Sequence, residues 1–197
     1  MGETTAKKPD YLVLVNEDNR LPDNFADTIE LIPTDNLDGE QFEIEKKTYE
    51  AFLRLQEDVF KNDGLSIALL NSYRTIETQE GIMARYIKNF GVEYAHTYVA
   101  KPGCSEHHTG FAIDVVFVKD GRLCRTHKEL FDLDPEYEIV QKKLPKYGFI
   151  LRYPKGKEPI TKIGYEPWHY RYIDSPIIAQ EITQKGICLE EYYQKDA

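Results

Sequence analysis

The stretch from Phe111 to Val118 constrains this chain most. Apolar side chains fill both alternating sets along it, so as a strand it must be covered on two faces, with structure layered above and below a sheet. One ionisable residue interrupts the run: Asp114, on the same face as Ala112 and Val116. A carboxylate buried there is costly unless something positive meets it, or backbone amides cap it. A metal ion would meet it, and the small Ala112 leaves room for one.

Around this strand the pattern is α+β. Tyr11 to Val15 reads as a short strand, and the acidic stretch from Glu17 to Asp38 as a solvated face or loop. Phe52, Leu55, Val59 and Phe60 recur at helical spacing within a helix expected over about 43–61, stopped by Asp63-Gly64. Leu65 to Asn71 is β-like. Thr75 then caps a second helix through Ile82, Met83, Tyr86 and Ile87, ending near Gly91. Lys119 to Arg122 is a hairpin turn candidate. A helix near 135–147, strands at 149–152 and 168–173, and a closing helix near 176–185 complete the pattern.

With 197 residues, 41% hydrophobic and 30% charged, the chain suits a single globular domain. A polar leader over 1–10 and one domain over 11–190 are expected. The net charge of -9 argues against nucleic acid as a partner, because neutralising phosphates takes a basic surface. No apolar run approaches the roughly 18 residues that span a bilayer. The three cysteines form no CxxC pair and are odd in number, which disfavours a disulfide framework. The chain therefore reads as cytoplasmic, or as a cell-surface protein if a signal or anchor precedes it.

Two further segments carry donors that could converge on Asp114. Ser105-Glu106-His107-His108-Thr109-Gly110 leads into the strand, and Glu166-Pro167-Trp168-His169 lies much later. On a continuous strand, His107 and Asp114 would face opposite ways. Gly110 permits a bend, so His107 can come from a loop. Pro167 forces an irregular turn that lets Glu166 lie beside His169 without sharing its role. Two imidazoles and one carboxylate leave a tetrahedral zinc with an open position, which is the catalytic rather than the structural arrangement. Trp168 reads as a wall behind the site. The tyrosines at 165, 170 and 172 read as core or surface residues more readily than cleft residues.

The segment SEHHTGFAID resembles the SxHxxGxAxD motif, and EPWH the ExxH motif, of zinc D-alanyl-D-alanine carboxypeptidases and dipeptidases of the VanY, VanX and VanXY type. Ser72-Tyr73-Arg74-Thr75 with Gln79 is similar to that family's (S/G)YRxxxxQ segment, and Tyr147 to Tyr153 extends the likeness. The resemblance spans about residues 10–175. It implies the Hedgehog/DD-peptidase fold: a compact domain with a small central antiparallel sheet flanked by helices and a zinc site in a cleft at the sheet. It further implies one catalytic Zn2+ held by His107, Asp114 and His169, with Glu166 as catalytic base and Arg74 stabilising the oxyanion. Gln79 and Ser105, with Arg74, are the implied substrate-binding residues. A local ion pair from Arg74 to Glu77 or Glu80 is the alternative role on its own helix. His108 stands where relatives often have glutamine; the register to Gly110 and Asp114 selects His107 as the ligand. The implied substrate is a peptidoglycan stem peptide or D-Ala-D-Ala. An L,D-carboxypeptidase, an endopeptidase, or a silent zinc-containing wall-binding module are the alternatives.

Overall fold

The computed structural model describes residues 9–194, so the first eight residues of the expected leader lie outside it. Its strands and helices run in the order β1 (Leu31–Asp35), β2 (Gln41–Glu45), α1 (Lys46–Asp63), β3 (Ile67–Asn71), α2 (Ile76–Phe90), α3 (Val92–Tyr98), β4 (Ala112–Lys119), β5 (Arg122–Leu123), α4 (His127–Asp132), α5 (Asp134–Gln141), β6 (Phe149–Leu151), α6 (Glu158–Thr161), β7 (His169–Tyr172), α7 (Pro176–Lys185) and α8 (Leu189–Tyr193). The main sheet is antiparallel in the order β3-β4-β7-β6, with β5 paired to β4, while β1 and β2 form a separate hairpin.

β4 lies between β3 and β7, and every residue from Phe111 to Phe117 is buried, as its two-sided apolar pattern requires. Its odd-numbered side chains join a core with Phe52, Leu55 and Val59 of α1 and with Tyr137 and Val140 of α5. The Phe117 and Tyr137 rings meet edge to face at 4.8 Å. Helix α1 starts where Glu45 accepts from the Thr48 amide, and it ends at Gly64, whose left-handed φ of 68° lets its N–H close on the Phe60 carbonyl. Thr75 caps α2 by accepting from the Thr78 amide.

Several expectations are corrected. Tyr11 to Val15 is not a strand: two buried arginines, described below, take up the carbonyls of Tyr11, Val13 and Val15 that a ladder would have used. The acidic region is not all loop, because Leu31–Asp35 pairs with Gln41–Glu45, and the second strand displaces the start of α1 to Lys46. Phe60 is 58% exposed, one residue round the helix from buried Val59. The helix expected over 135–147 breaks into α5 and a 3-10 turn at Leu144–Tyr147, where Pro145 cannot continue an α-helical ladder. The short helices α3 and α8 carry too little periodicity to stand out in the sequence.

Candidate metal centre and catalytic cleft

Strand register builds the centre. Asp114 on β4 is the Cα partner of His169 on β7 and, across an irregular step, of Asn71 on β3. Residues directly opposite in a ladder project from the same face, so the backbone alone brings this carboxylate and imidazole together. His169 Nδ1 lies 3.2 Å from Asp114 Oδ1. His107 arrives from the 3-10 turn Glu106–Thr109, which ends on Gly110 at φ 70°. A Cβ on Gly110 would stand 3.0 Å from the Leu31 side chain and 3.2 Å from that of Glu45, so packing and conformation both call for glycine here. His107 Nε2 then lies 3.4 Å from Asp114 Oδ2.

These donors fit a metal ion. The candidate ligand atoms of His107, Asp114 and His169 all fall within 4.8 Å of one another, and all three residues are buried. Ligands bound to zinc at about 2.0–2.1 Å with tetrahedral angles stand roughly 3.3 Å apart, and the two imidazole nitrogens, of His169 and His107, lie 3.2 and 3.4 Å from Oδ1 and Oδ2 of Asp114, respectively. The tautomer of His107 suits the task, since its Nδ1 lies 2.6 Å from the Ser72 carbonyl and donates there, leaving the Nε2 lone pair free. His108 is otherwise engaged: Nδ1 donates to the Arg74 carbonyl at 2.7 Å and Nε2 accepts from the Gly103 amide at 3.0 Å. With both nitrogens committed to backbone, it has none to offer a metal.

Charge runs through the cluster. Asp114 is held well below the usual carboxylate range: burial opposes its ionisation, but His107, His169 and Arg74 outweigh it. Burial pushes His107 down to about 4, with the Arg74 cation acting in the same direction. His169 is also buried, yet Asp114 and Glu106 carry it up to about 9. Burial raises Glu166 to about 8, and its Oε2 stands 3.7 Å from His169 Nδ1.

Arg74 pairs with Asp114 at 2.7 Å through Nη2, and not with Glu77 or Glu80. Asn71 Oδ1 grips the same guanidinium, accepting from Nη2 at 2.7 Å and Nε at 3.0 Å. Gln79 is buried beside it: Oε1 lies 3.5 Å from Arg74 Nη1, and Nε2 donates to the Ala100 carbonyl. Ser105 is buried at the cleft wall. The cleft holds about 840 Å³ and is walled by Tyr73, Tyr86, Tyr98, Tyr153 and Trp168 around the histidines. Tyr165, Tyr170 and Tyr172 stay out of that lining; Tyr170 and Tyr172 are core residues, and Tyr165 donates to Asp134.

The motifs did not single out Asn71 or Glu106. Glu106 occupies a variable position inside the first motif, and nothing in the sequence distinguishes a fully buried glutamate from an exposed one. Asn71 had one signal, its place as the last residue of an apolar strand directly before Ser72-Tyr73-Arg74.

Residues 41–175, well over half of the chain, match the VanY family, described as D-alanyl-D-alanine carboxypeptidase. The bifunctional D-Ala-D-Ala dipeptidase and D-Ala-D-Ala carboxypeptidase VanXYC of Enterococcus gallinarum is 41% identical over 130 residues, covering 64% of this chain and 66% of that protein. The chain thus spans about two thirds of the length of this curated relative. A mutant of the vancomycin resistance D,D-pentapeptidase VanY from a VanB-type cassette, crystallised in complex with Zn(II), superposes with a TM-score of 0.75 at 32% identity, covering 93% of this chain and 98% of that one. The LD-carboxypeptidase LdcB superposes with a TM-score of 0.72 at 33% identity, over 94% of this chain and 86% of that one. By motif order, fold and the match over residues 41–175, this chain belongs to the VanY family of D-alanyl-D-alanine carboxypeptidases.

Proposed function

We propose that this protein is a zinc-dependent carboxypeptidase that hydrolyses the bond before a C-terminal D-alanine in peptidoglycan stem peptides. The observation that carries this reading is the convergence of His107, Asp114 and His169 within 4.8 Å, at the wall of a peptide-sized cleft that also contains Glu166 and Arg74. When bound, zinc supplies Lewis-acid polarisation and an acidified water.

The other roles belong to the chain's own side chains. Glu166 is the general base that takes the proton of the attacking water and returns one to the leaving amine. Burial raises its carboxyl to about 8 against the pull of His169 and Arg74. With the added positive charge of a bound zinc it falls towards the range a base needs at neutral pH. Arg74 is fixed at Nη2 and Nε by Asn71 and Asp114, so its Nη1 edge, held only by a long 3.5 Å contact with Gln79, is the one that meets the developing oxyanion. Gln79 and Ser105 border the place where the terminal residue sits.

A cleft of about 840 Å³ is roomy enough for an extended stem peptide as well as for the free dipeptide. The catalytic unit is assigned to residues 11–190, because both ends of that span contribute to the buried cluster behind His169. Among the described residues no helix is long and apolar enough to cross a membrane. Three buried free thiols favour a reducing compartment, and fractionating host cells tests that placement.

The deciding experiment incubates zinc-loaded protein with a stem pentapeptide ending in D-Ala-D-Ala, a tetrapeptide ending in a single D-alanine, and free D-Ala-D-Ala. Release of D-alanine from the pentapeptide, faster than from the other two, is expected. No release from any of the three overturns the proposal.

A further inference from the structure

Behind the metal centre lies a charge cluster that the reaction itself does not use. Glu106, Arg152 and Arg171 are fully buried and Glu190 nearly so. Glu106 Oε1 accepts from Arg152 Nε and from Arg171 Nη1, both at 2.7 Å. Arg152 also donates to both Glu190 oxygens, at 2.6 and 2.9 Å, and Arg171 Nη2 donates to the Tyr11 and Val13 carbonyls. Such a cluster is an expensive way to fill an interior, since apolar packing of similar volume commonly serves stability as well. Its retention calls for a further role.

Two unsatisfied atoms point to one. Glu106 Oε2 and His169 Nε2 are buried without a hydrogen-bond partner, and they face each other at 3.7 Å. The other oxygen of Glu106 is saturated by two guanidiniums, so Oε2 has only the imidazole to accept from. The opposite nitrogen of that imidazole, Nδ1, faces Asp114. His107 shows the same logic with its nitrogens exchanged: Nδ1 donates to the Ser72 carbonyl and Nε2 faces Asp114.

We infer that Glu106 is the positioning residue of the metal centre: clamped by Arg152 and Arg171, it accepts the Nε2–H of His169 and so directs the Nδ1 lone pair to the metal. The inference rests on the metal reading above and is independent of the substrate. A carboxylate in this place fixes both ring orientation and tautomer, whereas an amide would invert the pattern. In Glu106→Gln the amide oxygen stays with the two guanidiniums, because an NH2 group cannot accept from them. The NH2 then points at His169 Nε2, which must accept, and the ring proton moves to Nδ1, where it blocks ligation.

The test uses Zn2+ alone as the probe, so a failure of peptidase activity leaves it intact. In zinc-loaded wild-type protein with 15N-labelled histidine, NMR is expected to find His169 bound through Nδ1 with the proton on Nε2. Ligation through Nε2 overturns the inference without any variant. By chelator competition, Glu106→Gln should bind Zn2+ on the order of 10- to 100-fold more weakly, as for other outer-shell partners. Glu190→Gln disturbs the far side of the cluster without touching the ring. It should lower the melting temperature while leaving Zn2+ affinity within about twofold. Unchanged affinity in Glu106→Gln, or an equal loss in Glu190→Gln, reduces the cluster to a structural brace and overturns the inference.

Discussion

Asp114 and His169 sit directly opposite each other in the β4-β7 ladder, with Oδ1 and Nδ1 3.2 Å apart. The centre is therefore carried by the sheet on this side and by a loop only at His107. A site on paired central strands is held by backbone hydrogen bonds that persist until global unfolding. Asp114→Ala should abolish Zn2+ binding, with a loss larger than the roughly 10- to 100-fold typical of outer-shell partners. It should also destabilise the fold by leaving Arg74 without its carboxylate. Calorimetric Zn2+ titration and urea unfolding of the same variant measure the two effects. Near-native zinc affinity would show that the metal is held elsewhere.

Glu166 stands 3.7 Å from His169 Nδ1 and is given no ligand role. Glu166→Gln should keep zinc stoichiometry while lowering kcat by about 10²- to 10⁴-fold, the range expected for loss of a positioned general base. Metal content by mass spectrometry of the native protein, alongside D-alanine release, separates the two properties. Activity within tenfold of wild type would remove Glu166 from the mechanism.

Arg74 bonds to Asn71 and Asp114 through Nη2 and Nε, while its Nη1 makes only a long 3.5 Å contact with Gln79. Arg74→Ala should lower kcat about 10²- to 10³-fold without loss of zinc, the size found for other oxyanion donors. Because the cation also opposes a second positive charge at the centre, its removal should leave Zn2+ affinity equal or higher. A variant that loses zinc along with activity would assign Arg74 to building the centre instead.

The parts of this site legible in the sequence were those set by local chemistry. Asp114 could be read as the lone carboxylate of a two-sided strand, and His107 and His169 through the resemblance of their motifs to a known family; the structure brings the three within 4.8 Å of one another. Thr75 and Gly64 announced their helix ends by local chemistry. The clamp on Glu106 was not legible. Its arginines lie 46 and 65 residues away along the chain, and only folding shows that they are buried. Tyr11 to Val15 misled for a related reason, since its continuous apolar run is real but its carbonyls are met by those arginine side chains and not by a neighbouring strand.

The same long-range logic gives a stability prediction far from the metal. Lys146 at 2.8 Å, the Tyr147 hydroxyl, Lys143 at 2.9 Å and Asn62 all donate to Asp58, tying α1 to the 3-10 turn at Leu144–Tyr147. They hold its carboxyl well below the ordinary aspartate value. A carboxyl depressed in the folded state adds stability that is fully present above its unfolded value of about 3.9 and is lost as pH falls from there towards the folded value. Asp58→Asn removes that charge at every pH. Lys146 is largely exposed and its contribution is screened, so the cost at pH 7 should be on the order of 1 kcal/mol. Urea unfolding of both proteins from pH 7 to pH 2 should show the gap between them constant down to about pH 4 and closing below it. A gap that stays the same at pH 2.5 as at pH 7 would mean the loss reflects packing of the asparagine and not the charge on Asp58.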